Sequence, residues 1–244
     1  MAGHSKWKNI KHAKAATDAK RGAVFTKLIR EITVAAKGGG DPDGNPRLRT
    51  AIDAARAQSM PKDNIDRAIK KGTGELEGVE YIDVTYEAYG PGGVALMIQA
   101  LTDNATRTVA DIRAKLSRNG GNLGTTGSVA FMFDRKGRMY LPATGDEDAM
   151  MEVALDAGAS DFAREDDTFA ITTEASELHA VKEALEKKGL KISDAKLEWM
   201  PQSTVHVTGD DARILVKLLG VLDDLDDVQN VEGNFDIDET ALDD

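Results

Sequence analysis

The spacing of apolar residues changes once along this chain, near residue 78. Before that point they recur three or four apart, the period of a half-buried helix. After it they alternate in short runs, the period of strands, with helical stretches between. From Arg21 to Lys37, Val24, Phe25, Leu28, Ile29, Ile32, Ala35 and Ala36 gather on one flank of a helical wheel about 140° wide. Lys20, Lys27, Arg30 and Lys37 fall roughly opposite. Gly38-Gly39-Gly40 ends this helix. A second helix is expected from Asn45-Pro46, because Asn caps well and Pro suits the first turn. Its stripe is Leu48, Ile52 and Ala55, with Ala51 beside them. Met60-Pro61 stops it and opens a third helix, with Ile65, Ala68 and Ile69 inward and Gly72 at its end.

Beyond Gly78 the pattern predicts strands at Tyr81–Tyr89, Val94–Leu101 and Ser128–Asp134, with a turn at Gly90–Gly93 and a helix over Thr106–Asn119. A unit that looks complete follows. It has a strand near Gly137–Leu141, a helix over Asp146–Ala157, strands at Asp161–Arg164 and Thr168–Thr172, a helix over Glu174–Lys188 and a strand at Ala195–Met200. That order, β-α-β-β-α-β, is ferredoxin-like. A short strand (Val205–Val207), a helix (Asp210–Leu222) and a strand (Val228–Ile237) close the chain. The fold class is α+β: a helical N-terminal domain at 1–76 and two α/β domains of ferredoxin-like β-α-β-β-α-β type, a discontinuous one from 77–134 and 205–240 and one at 135–204 inserted into it. Insertion is inferred because 77–134 lacks a second helix and a closing strand that the C-terminal segment can supply. The alternative is two or three consecutive domains.

Charge divides along the same line. Residues 1–71 carry 16 Lys/Arg against 7 Asp/Glu, and residues 72–244 carry 15 against 35. The whole chain has a formal net charge of −11, which hides a basic head. Clustered Lys and Arg gain affinity for polyanions by releasing counterions from phosphates, whereas the acidic remainder repels them. A merely solvated helix face mixes signs, with Glu–Lys pairs four apart. Between Lys6 and Lys37 the only acids are Asp18 and Glu31. Lys6, Lys8, Lys11, Lys14, Lys20, Arg21, Lys27, Arg30 and Lys37 are therefore the candidate phosphate-contacting residues. Trp7, among them, suits either base stacking or a small helical core.

Other chemistries find little support. There is no cysteine, so disulfides and thiolate sites are excluded. Asp41-Pro42-Asp43-Gly44-Asn45 opens like a calcium loop, but Pro46 stands where Gly is required and Ile52 where the bidentate Glu belongs. Gly120-Gly121-Asn122-Leu123-Gly124-Thr125-Thr126-Gly127 follows a helix and leads to a strand, the reverse of a phosphate loop. His4, His12, His179 and His206 have no metal spacing. No metal, cofactor or small-molecule substrate is expected. No apolar run is long enough to span a bilayer, and the charged opening lacks the apolar core of a secretory signal. A cytoplasmic protein is expected.

Several strings together resemble one family. They are Ala2-Gly3-His4-Ser5-Lys6-Trp7-Lys8-Asn9-Ile10-Lys11-His12, Asn45-Pro46-Arg47-Leu48-Arg49, the run from Met60 to Gly74, Tyr89-Gly90-Pro91-Gly92-Gly93-Val94-Ala95-Leu96, Leu101-Thr102-Asp103-Asn104 and Gly120-Gly121-Asn122-Leu123-Gly124. By these the sequence resembles the YebC/PmpR family over nearly its whole length, with Ala88 standing where that family has Gly. The resemblance implies a cytoplasmic, non-enzymatic protein with a helical domain and two α/β domains. Bacterial members are described as transcriptional regulators that bind DNA. Mitochondrial relatives are translational activators, and bacterial relatives are also tied to the ribosome, where they ease stalling on proline-rich sequences. The expected partner is thus DNA or ribosomal RNA, the latter on the ribosome. The residues alone leave two further classes open: a metal-dependent nuclease using the C-terminal carboxylates, and an adaptor whose acidic domains dock on a basic protein.

Overall fold

The computed structural model describes residues 18–237, with side chains from Gly22 onward. The described chain divides into two compact units: Phe133–Pro201, and everything on either side of it.

The larger unit begins with three helices, α1 (Asp18–Ala36), α2 (Pro46–Ala57) and α3 (Lys62–Gly72). Ile32, Leu48, Ile52, Ala55, Met60 and Ile65 form their core. Asn45 joins the first two. Its side-chain oxygen accepts from the Leu48 N–H (3.1 Å), while its amide donates to the carbonyls of Ala35 (2.7 Å) and Gly39 (2.8 Å). One residue thus caps the start of α2 and satisfies a carbonyl left over at the end of α1. The helices α1 and α3 cross so closely that a Cβ at Gly72 would lie 2.3 Å from the Thr33 carbonyl oxygen, which only glycine permits.

The same unit continues with β1 (Ile82–Tyr89), β2 (Ala95–Thr102), α4 (Ala105–Arg118) and β3 (Asn122–Leu123). After the second unit it resumes with β8 (Val205–Val207), α7 (Gly209–Asp223), β9 (Val228–Gly233) and β10 (Phe235–Ile237). The sheet order is β3-β1-β2-β9 with antiparallel neighbours, and β8 and β10 form a separate parallel pair. Leu96, Ile98, Ile112, Leu116, Leu215, Leu218 and Phe235 share one core. This sheet starts with a hairpin, β1–β2, so its order is not that of the ferredoxin-like unit.

The smaller unit comprises β4 (Phe133–Pro142), α5 (Glu147–Asp156), β5 (Asp161–Glu165), β6 (Thr168–Glu174), α6 (Leu178–Lys187) and β7 (Asp194–Pro201). Its order β5-β6-β4-β7, all antiparallel, is the ferredoxin-like arrangement. Met139, Leu141, Phe169, Ile171, Val181 and Leu185 make its core.

Two strand expectations are corrected. The strand expected at Ser128–Asp134 does not form there; a turn and a 3-10 helix (Ala130–Met132) precede β4, which starts at Phe133 and absorbs the strand expected at Gly137–Leu141. The reason is Glu87, whose buried carboxylate accepts from the N–H groups of Gly127 (2.6 Å), Val129 (2.7 Å) and Ala130 (2.8 Å). Donors held there cannot join a strand ladder. The strand expected at Val228–Ile237 breaks at Asn234. That fully buried side chain accepts from the Ala95 N–H (2.8 Å), and Phe235–Ile237 turns away to pair with β8.

Candidate nucleic-acid interface

The nine candidate cations fall into three groups. Lys6, Lys8, Lys11 and Lys14 lie outside the described residues. Lys20 and Arg21 sit on the first turn of α1, with side chains also outside the described set. Lys27, Arg30 and Lys37 are described, and all three meet the α/β part of their own unit.

Lys27 donates to the Asp223 backbone carbonyl (2.6 Å) and to its carboxylate (3.2 Å). Arg30 pairs with Asp227 at 2.7 Å, donates to the backbone carbonyls of Asp226 and Leu101, and stacks its guanidinium 5.4 Å from the centre of the Tyr81 ring. Lys37 reaches the Tyr81 carbonyl (2.8 Å) and Glu80 (3.4 Å). Arg47 adds a bridge to Glu31 (2.8 Å) and Asp83 (3.3 Å). The cationic flank of α1 thus lies against acids and carbonyls at the end of α7 and the start of β1.

Asp227 is the centre of this contact. One carboxylate oxygen takes Arg30; the other takes the hydroxyl of Thr108 (2.6 Å) and Arg107 (2.9 Å). Burial would raise its pKa, but the hydrogen bonds from Thr108 and Arg107 and the charge of Arg30 outweigh that and hold it below the usual carboxylate range. All three acceptors face one terminal nitrogen of the Arg30 guanidinium, Nη1, while its buried Nε has no hydrogen-bond partner among the described residues. The wheel showed the cationic flank of α1 but nothing of its docking partner, because Asp223, Asp226 and Asp227 read as solvated surface in a sequence.

Cations with no such engagement lie elsewhere. On α3, Lys62, Arg67, Lys70 and Lys71 are exposed and make no ion pair among the described residues. They stand opposite the buried Ile65 and Ala68 and continue the basic head. On α4, Arg113 and Arg118 are exposed and Lys115 half-exposed, again without an ion pair among the described residues. Their signal was in the sequence: residues 105–132 hold four Lys/Arg and one acid, whereas 77–104 hold five acids and no cation.

The other titratable cluster closes on itself. In the smaller unit Arg138, nearly fully buried, binds Glu165 and the Thr172 hydroxyl (2.6 Å), and the Tyr140 hydroxyl meets both Glu198 oxygens at 3.1 Å. Lys196 completes it at Asp194 (2.8 Å) and Glu198 (3.5 Å). Two cations thus serve three carboxylates, and each acid has a basic partner. Among the described residues no three His, Asp or Glu side chains are grouped to hold a metal ion, and no helix is long and apolar enough to cross a membrane.

Residues 5–75 match the N-terminal domain of the TACO1/YebC protein model, and residues 81–235 match the TACO1/YebC second and third domain. The chain belongs to the TACO1/YebC family. It is 65% identical over 244 residues to a probable transcriptional regulatory protein of Gemmatimonas aurantiaca, covering 99% of each chain. It is 55% identical to one of the same name from Desulfatibacillum aliphaticivorans, again covering 99% of each. The crystal structure of a conserved hypothetical protein from Aquifex aeolicus superposes with a TM-score of 0.86 at 48% identity, covering 91% of this chain and 93% of that one. The names of these relatives support a regulatory role.

Proposed function

We propose that this chain is a non-enzymatic, cytoplasmic regulator of gene expression that binds nucleic acid, DNA by preference, and leaves it covalently unchanged. The observation that carries this reading is the basic head: 16 Lys/Arg against 7 Asp/Glu over residues 1–71, in a chain whose remainder is strongly acidic. The phosphate-contacting residues in this reading are Lys6, Lys8, Lys11, Lys14, Lys20 and Arg21, continued by Lys62, Arg67, Lys70 and Lys71 of α3. Lys27, Arg30 and Lys37 keep the head docked on the α/β domain instead. Relatives named transcriptional regulatory proteins support DNA as the target.

One observation favours a second reading, binding to folded ribosomal RNA. The cationic flank of α1 is covered by Asp223, Asp227 and Tyr81, so it cannot lie along a major groove. Phosphate contacts fix position without reading sequence, which suits recognition by shape. Crosslinking in cells followed by sequencing of the bound nucleic acid tests both. Genomic DNA supports the first reading and ribosomal RNA the second; recovery of neither overturns both.

A further inference from the structure

The sheet of the smaller unit ends on one side at β7, which pairs with β4 alone. In an antiparallel ladder only alternate pairs exchange hydrogen bonds. Two backbone bonds fix which pairs these are. The Gln202 N–H donates to the Met132 carbonyl (2.9 Å) in the register of β4 and β7, and the Ala143 N–H donates to the Asp167 carbonyl (2.8 Å) in that of β4 and β6. Even-numbered residues of β4 therefore bond to β7, through Met200, Glu198 and Lys196. Ala195, Leu197 and Trp199, lying between, direct their N–H and C=O groups away from the sheet, where they have no hydrogen-bond partner among the described residues.

A long regular edge accepts another strand, and proteins blunt such edges with bulges, prolines or charged side chains, lysine above all. The register of β7 against β4 runs without a shift from Asp194 to Pro201, and the one proline is the last residue. The one lysine, Lys196, is not a free charge, because Asp194 lies 2.8 Å from it and Glu198 3.5 Å. The opposite edge, β5, has only 5 residues.

The side chains of β7 point to the strand that fits. Let a second β7 lie antiparallel to the first, with a two-fold axis through Leu197. The outward N–H groups of Ala195, Leu197 and Trp199 in both copies then face outward carbonyls. Lys196 stands opposite Glu198 of the second copy, and Glu198 opposite its Lys196. An axis one residue away sets Lys196 against Lys196 or Glu198 against Glu198, and like charges directly opposite destabilise a sheet. An axis through Trp199 sets Pro201, which has no N–H, against Leu197. The charge pattern thus selects one register, and in that register the strand complements itself.

We propose that the outer edge of β7 is the interface of a homodimer, in which two copies join their sheets across a two-fold axis at Leu197. This inference is independent of the nucleic-acid reading. A single pair of strands is a narrow contact, so the dimer forms and parts with protein concentration. It brings two basic heads to one target.

The test uses the full chain in sedimentation equilibrium over a range of concentrations. The average mass rises toward that of two chains as concentration increases. Leu197→Pro removes an N–H that faces away from β4, a loss that an edge strand tolerates, and abolishes the rise. The chain has no cysteine, so Leu197→Cys reads the register against no background of native thiols. Cα atoms of a hydrogen-bonded pair across the axis are about 5.5 Å apart, within reach of a disulfide, and mild oxidation links the two copies. Lys187→Cys, exposed in the last turn of α6, measures linking by chance collision. A wild type that stays a single chain at every concentration overturns the proposal and leaves the edge to a strand of another protein. A dimer that persists in folded Leu197→Pro, or a Leu197→Cys chain that links no faster than Lys187→Cys, overturns it as well. If thermal melting shows Leu197→Pro to be unfolded, the comparison of the two cysteine variants decides.

Discussion

Arg30 and Asp227 meet at 2.7 Å with side chains only 12% and 10% exposed, nearly two hundred residues apart in the chain. Their contact fastens the helical head to the α/β domain. It also converts the most regular basic feature of the sequence, the cationic flank of α1, into an internal joint.

Removing one partner of a buried pair strands the other. Arg30→Ala leaves Asp227 with Arg107 and Thr108 but opens carbonyls at Asp226 and Leu101, and should destabilise the larger unit by about 3 kcal/mol. Arg30→Lys should recover only part of this, since an ammonium keeps the charge but not the planar stacking on Tyr81. Urea denaturation measures both; a loss of under about 1 kcal/mol for the Ala variant would show the joint to be loose.

Acid should loosen the same unit. The Asp227 carboxyl is held below its ordinary range, as is that of Glu87, where burial pushes upward but the N–H groups of Val129, Gly127, Ala130 and Ser128 prevail. A lowered folded pKa contributes stability that is complete above the unfolded value, near pH 4, and is lost as pH falls toward the folded one. The urea midpoint should therefore drop steeply below about pH 4. In Glu87→Gln the drop should be shallower, and stability at neutral pH should be lower by about 1–3 kcal/mol through lost carboxylate hydrogen bonding. Parallel pH profiles for the two proteins would refute this.

Nucleic-acid affinity should follow salt. If about six cations of the head touch duplex phosphates, log affinity falls against log salt with a slope near −5. Replacing Lys6, Lys8, Lys11 and Lys14 with Ala should flatten that slope. Replacing Lys27 and Lys37 with Gln should not, because Asp223 and Glu80 already face them. The reverse pattern would mean that the head undocks to bind.

Gly72→Ala places a methyl group against the Thr33 carbonyl and Ala36, forcing α1 and α3 apart. Overpacking of this kind costs about 1–3 kcal/mol. A thermal midpoint equal to wild type would show that the crossing yields freely.

Much of the architecture was legible because local rules agreed with it. Asn45-Pro46 starts α2 as its capping chemistry dictates, and alternation places Met139, Leu141, Phe169 and Ile171 on the buried face of the second sheet. The misreadings at Ser128–Asp134 and Val228–Ile237 share one cause. Single buried polar side chains, Glu87 and Asn234, draw backbone groups out of the ladders that apolar spacing favours. The docking of α1 was hidden for a related reason: the period of a helix shows which flank is charged, not whether a distant acid lies against it. The exposure of Phe131, at 71%, was hidden too, since an apolar residue between Ala130 and Met132 reads as strand interior.

Phe133 and Pro201 are register partners on β4 and β7, and on the other side of that boundary the Gln202 N–H donates to the Met132 carbonyl (2.9 Å). The chain therefore leaves for its 69-residue excursion and returns through what is nearly a single point. A short glycine bridge from Met132 to Gln202 would make each half a molecule in its own right, open to separate production, labelling and recombination with the halves of its relatives.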